Sequence, residues 1–113
     1  MQVWGFIFKV MAWTFLVCIV AQVFIAGIAT FADTSSWETH KSFVKIFALA
    51  PLLMFLLTFV GRIKGPKRWV SLGLFVLVVF QFLSIQVFSS TGIIAALHPV
   101  IALLLFWGSV KTV

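Results

Sequence analysis

Four long apolar runs, divided by three short polar stretches, make up nearly the whole chain. The first runs from Val10 to Phe31 with Lys9 at its start, the second from Ser36 to Val60, the third from Trp69 to Phe88, and the fourth from Gly92 to Val110. Each has the roughly 20 residues that a helix needs to cross about 30 Å of hydrocarbon. None has the strict alternation of a barrel strand, and four strands do not close a barrel. The expected fold is an all-α membrane protein. Its four transmembrane helices, 10–31, 36–60, 69–88 and 92–110, form an up-down-up-down bundle within a single domain, residues 1–113.

The connections carry their own signals. The loop Ala32–Glu38 holds both acidic residues of the protein, Asp33 and Glu38. Ser35 followed three residues later by Glu38 is a capping-box pattern and predicts a helix start near Ser36. Pro51 predicts a kink in the second helix, because proline leaves a carbonyl one turn earlier without its donor. Gly61 to Arg68 forms a basic turn in which Gly65-Pro66 stops the helix. Ser89-Ser90-Thr91-Gly92 predicts a very short turn that supplies an N-cap to the fourth helix.

Charge then orients the bundle. Four of the eight basic residues, Arg62, Lys64, Lys67 and Arg68, crowd into one turn. Lys9 and Lys111 fall on the same side, as do Trp4, Trp69 and Trp107, while Lys41, Lys45 and Trp37 mark the other. Basic loops stay cytoplasmic and tryptophans collect at the interfaces, so both termini are expected inside, in a multi-pass protein of the bacterial plasma (inner) membrane. The net charge of +6 reads as contact with anionic lipid, not nucleic acid, because no basic surface is interleaved with aromatics. The composition, 64% hydrophobic and 9% charged, leaves no room for a soluble domain. The lone Cys18 allows no intrachain disulfide, and Val17 before it departs from a lipoprotein acceptor pattern. Gly27-Ile28-Ala29 has the look of a signal-peptidase site, but the apolar stretch before it exceeds a usual signal core, so the first helix is expected to stay.

Few polar residues remain inside the spans: Gln22, His40, Gln81, Gln86 and His98. Polar groups in a membrane are costly and face the bundle interior. His40 and His98 lie at similar depth below the helix ends opposite the basic turn, with Gln22 and Gln81 deeper. Gln22 precedes His40 by 18 positions and Gln81 precedes His98 by 17, so the chain reads as two similar hairpins around one site. In an up-down-up-down bundle the second and fourth helices are diagonal, with axes roughly 13–14 Å apart. Two inward histidines then span the gap with one metal between them, and a haem iron with two axial imidazoles fits it. Ala26, Gly27, Gly92, Ala95 and Ala96 are small residues near that level. The candidate metal ligands are thus His40 and His98, with Gln22 and Gln81 completing a haem b pocket. The bland alternatives are structural: hydrogen bonds between helices, a His98 that satisfies the carbonyl freed by Pro99, and a His40 hydrated at the interface. A non-haem metal lacks a third ligand at this level apart from Glu38, and Met54 is too deep.

The segments Gln22-Val-Phe-Ile-Ala-Gly27, Trp37-x-x-His40 and Ala96-Leu97-His98-Pro99 resemble a family of small four-span bacterial membrane proteins without an established activity. The repeated pattern of an outward helix with Gln and small residues, then a returning His, also resembles one four-helix half of haem A synthase. In that family each half carries a histidine pair and one half holds haem b, which implies axial roles for His40 and His98. The catalytic half of that enzyme has Glu three residues before a histidine; here Trp37 occupies the place and Glu38 is one position off. Its paired external cysteines are missing. The resemblance therefore implies haem binding for electron transfer or haem handling, without haem hydroxylation.

Other function classes fare less well. No nucleophile–base–acid set can be assembled, which argues against hydrolase-type chemistry and leaves no catalytic constellation evident. A small drug exporter of similar length couples protons through a membrane-embedded carboxylate, which neither Asp33 nor Glu38 supplies. The remaining alternative is a non-catalytic accessory or assembly subunit of a larger membrane complex, with a membrane-protein partner or a second copy of itself beside the lipid.

Overall fold

The computed structural model describes residues 2–88 and 90–113, all of them in helices or short connections. Its helices are α1 (Gln2–Phe31), α2 (Ser36–Phe47), α3 (Ala50–Val60), α4 (Pro66–Gln86), α5 (Gly92–Ala95) and α6 (Leu97–Thr112). They make four segments long and apolar enough to cross a membrane: Gln2–Phe31, Ser36–Val60, Pro66–Gln86 and Gly92–Thr112.

The predicted boundaries shift in places. The first helix begins at Gln2, eight residues before Val10, because the Phe8 and Ala12 turns are buried against the bundle and Trp4 packs on Gly61. The third begins at Pro66 and ends at Gln86. Proline fits the first helical turn, where its missing N–H costs nothing. The second and fourth segments are each interrupted, at Ala48–Leu49 and at Ala96. Pro51 and Pro99 lack the N–H that would pair with the carbonyls of Phe47 and Ala95, so each helix breaks two to three residues before its proline.

The expected capping box does not form. Ser35 is helical in conformation and makes no side-chain cap bond. Its amide and hydroxyl instead donate to Asp33 Oδ1, at 3.0 and 2.7 Å. Both bonds favour the ionised form, the hydroxyl's most, and hold the Asp33 carboxyl below its ordinary value. Glu38 turns outward to Lys41 at 3.5 Å. At the fourth helix Thr91 also makes no side-chain cap bond, and Ser89 of the predicted turn lies outside the described residues.

Buried positions fall at a 3–4 spacing on each long helix: Phe8, Ala12, Phe15 and Ile19 on α1; Pro51, Met54 and Thr58 on α3; Ser71, Leu74 and Val78 on α4; Leu105, Ser109 and Thr112 on α6. This is the stripe that near-parallel helix packing uses. Small and hydroxylated residues are prominent in it, as expected where lipid gives no hydrophobic drive for association and close approach has to supply it. Ser71, Ser109, Thr112 and Thr58 each bond a carbonyl of their own helix, which lets them lie buried without a distant partner.

α1 packs on α2, α3 and α6, and α4 packs on α3 and α6. The second and fourth spans therefore face one another across the bundle. The longest dimension is 45 Å, about that of 30 helical residues at 1.5 Å each.

Candidate functional site

The tight core, from Phe8 to Ile19 and from Leu74 to Val78, occupies the part of the bundle nearer the basic turn. Beyond it, Gln22, His40, Gln81 and His98 are each half-buried. The structure brings the two histidines together. Their ring centres are 6.4 Å apart with planes tilted by 60°, one ring coming from α2 and the other from α6.

Each ring is held by the span that precedes it, His40 by α1 and His98 by α4. His40 Nδ1 lies 3.2 Å from the Gln22 carbonyl oxygen, and the Gln22 amide returns a bond to the His40 carbonyl at 2.7 Å. A carbonyl only accepts, so neutral His40 carries its proton on Nδ1 and a lone pair on Nε2. His98 reaches the same state through an intermediary. Ser84 donates its hydroxyl proton to the Gln81 carbonyl at 2.9 Å, and its oxygen lies 3.2 Å from His98 Nδ1. Having given away its only proton, Ser84 accepts from His98 Nδ1–H, which leaves Nε2 of His98 with a lone pair as well.

The site is thus rich in acceptors. Besides the two Nε2 atoms, the buried Oε1 atoms of Gln22 and Gln81 have no partner among the described residues. Trp37 stands edge-on to the His40 ring with centres 5.5 Å apart. Around it, a Cβ added to Gly27 or Gly92 would meet nothing within 4 Å.

Several sequence expectations meet their geometry here. His40 and His98 are paired, and Gln22 and Gln81 each support a histidine, Gln81 by way of Ser84. Gln86 is exposed and belongs to no such contact. Glu38, considered as a third ligand, is 81% exposed in its side chain and committed to Lys41. Met54 is fully buried, deeper in the core. No group of three His, Cys, Asp or Glu residues able to hold a metal ion occurs among the described residues. His98 bonds across to α4 and so is not occupied with the carbonyl freed by Pro99. Sequence reading missed Ser84. Its signal was the Gln81-x-x-Ser84 spacing, which places both on one helix face.

A family of unknown function, DUF6220, matches residues 22–88, more than half of the chain. The chain belongs to the DUF6220 family. The match takes in Gln22, His40, Gln81 and Ser84 and ends before His98. Membership agrees with the expected kinship to small proteins without an established activity, and it brings no link to haem A synthase. No curated protein and no solved structure matches the chain.

Proposed function

We propose that this DUF6220 protein is an integral protein of the plasma membrane that holds one haem b between His40 and His98. Its helices run up, down, up and down, with both termini and the basic turn on the cytoplasmic side. Haem would lie nearer the opposite face and serve electron transfer or haem handling. The histidine pair carries the proposal. Two metal–nitrogen bonds of about 2 Å, with about 1 Å from each nitrogen to its ring centre, separate the centres of an axial imidazole pair by roughly 6 Å. The observed 6.4 Å is in keeping with that spacing.

The donor set also fits. Axial imidazoles are neutral, and a hydrogen bond from Nδ1–H fixes the tautomer and strengthens Nε2 as a ligand. Both rings have that bond. A bare metal ion would find only two strong ligands here, whereas haem brings four nitrogens of its own and asks two from the protein. When bound, the iron would supply one-electron chemistry. The chain's own residues set its ligands, orient them and surround them with apolar side chains. Lys41 and Lys45 are the cations of the same half; Lys41 pairs with Glu38, and Lys45, which has no acid partner among the described residues, would suit a carboxylate of a haem.

The test is optical. The full chain, purified from haem-replete cells, is expected to show a Soret band and the sharp visible bands of a bis-imidazole haem. His40→Ala and His98→Ala are each expected to abolish that spectrum while leaving the helical content by circular dichroism unchanged. Colourless protein that also fails to take up added haem would sink the proposal. It would leave the chain as a non-catalytic accessory subunit of a membrane complex, for which retention of a partner in mild detergent is the direct measurement.

A further inference from the structure

The basic turn carries more charge than its fold uses. Arg68 is committed: its Nε donates to the Thr58 hydroxyl at 3.1 Å, its Nη2 to the Thr58 carbonyl at 3.0 Å, and its guanidinium lies 4.0 Å above the Phe59 ring. It ties the start of α4 to the end of α3. Arg62, Lys64 and Lys67 are left over. All three are exposed, and the ion pair found among the described residues, Glu38–Lys41, lies across the molecule from them. Asp33 and Glu38 are the only carboxylate side chains in the chain, so these three cations have no acid of their own to pair with.

The backbone between them is held fast. Ile63 N–H bonds the Thr58 carbonyl at 2.8 Å and Arg62 N–H the Phe59 carbonyl at 3.3 Å, the closing pattern of a Schellman turn. Arg62 takes the left-handed position of that turn, φ 54°, where glycine is the usual occupant. Gly65, φ 94°, then leads into Pro66 without any side-chain cap for α4. The positive end of a 21-residue helix therefore opens among three free cations. Like charges so close repel, and an anion relieves them.

Aromatic residues place that anion. Trp69 is exposed one turn into α4, Trp4 touches Gly61, and Trp107 lies 4.7 Å beneath the Lys111 ammonium. Exposed tryptophans above an apolar bundle mark the headgroup level of a bilayer. We propose that Arg62, Lys64 and Lys67, at the N-terminus of α4, bind the phosphate of an anionic phospholipid headgroup.

Native mass spectrometry of the full chain, released from nanodiscs of equimolar phosphatidylglycerol and phosphatidylcholine, tests this. Wild-type protein is expected to retain phosphatidylglycerol in preference. Each of Arg62→Gln, Lys64→Gln and Lys67→Gln is expected to reduce that preference, by about fivefold if each cation contributes as a basic residue does at an anionic surface. Lys41→Gln/Lys45→Gln, at the other end, is expected to leave it intact. Equal retention of the two lipids, or an undiminished preference in the triple Gln variant with unchanged circular dichroism, overturns the proposal. Displacement of the lipid by millimolar inorganic phosphate would overturn the lipid assignment in favour of a free-phosphate site.

Discussion

His98 donates through Nδ1 to a serine that has already given its own proton to the Gln81 carbonyl, so the tautomer of the ring is decided two bonds away. Ser84 is a positioning residue in that chain. Ser84→Ala is expected to weaken haem affinity, followed by titration of the haem-free protein, by about tenfold while preserving the bis-imidazole spectrum. Unchanged affinity would mean that the bond positions nothing. The sequence made His40, His98, Gln22 and Gln81 visible because a polar side chain stands out in an apolar run. Ser84 did not stand out: a serine among apolar neighbours is common in membrane helices, and only the fold brought it to a histidine 14 residues on. Glu38 was misjudged for the converse reason. Its spacing from Ser35 suits a capping box, but Asp33 competes for the serine and Lys41 for the glutamate.

At the scale of elements, the two returning helices are built alike. Each carries a histidine and a break that precedes a proline, but in different order: His40 stands ahead of the Ala48–Leu49 break before Pro51, whereas His98 lies between the Ala96 break and Pro99. The Pro51 effect was legible because it is local chemistry, a missing N–H acting whatever surrounds it; the break before Pro99, in a span expected to be continuous, came only with the structure. Helix starts were less legible where packing decided them, as at Gln2, since nothing local marks Phe8 as buried or Trp4 as set against Gly61. Close packing of α1 on the basic turn is concentrated at Gly61, where an added Cβ would stand 2.8 Å from Trp4 Cβ and 3.2 Å from the Leu57 carbonyl oxygen. Neither is the free end of a side chain, so α1 itself would have to move. Gly61→Ala is expected to cost about 1–3 kcal/mol of stability, read from thermal unfolding in detergent. Gly73→Ala, where a Cβ meets nothing within 4 Å, is the matched control and is expected to cost nothing.

For the whole molecule, charge is segregated by end. Arg62, Lys64 and Lys67 gather at the basic turn without an acid partner among the described residues, and both acids lie at the other end with the histidine site nearer to them. Sidedness is therefore a property of the assembled chain that single-cysteine labelling can read. In a Cys18→Ala background, Thr34→Cys is expected to react with an impermeant maleimide in intact cells, and Lys64→Cys only after permeabilisation. The reverse pattern would invert the proposed orientation. Helix order contributes as much as charge. Because the second span (α2 and α3) and the fourth span (through α6) pack on the same two neighbours, α1 and α4, and lie across from each other, residues 58 positions apart in the chain come within one ring's reach.

By itself the sequence determined that the chain is four apolar helices, that Pro51 disturbs the second of them, and that Gln22, His40, Gln81, Gln86 and His98 were the polar residues inside them that called for partners. Hydropathy is a property of composition, and proline chemistry acts locally, so both can be read without a fold. Only the tertiary structure decided which face of each helix is interior. Lipid-facing and buried positions are equally apolar here, and what separates them is close packing of small residues such as Ala12, Ser71 and Ser109. The same packing settled that the two histidines stand 6.4 Å apart, since a distance between diagonal helices depends on every contact that sets them.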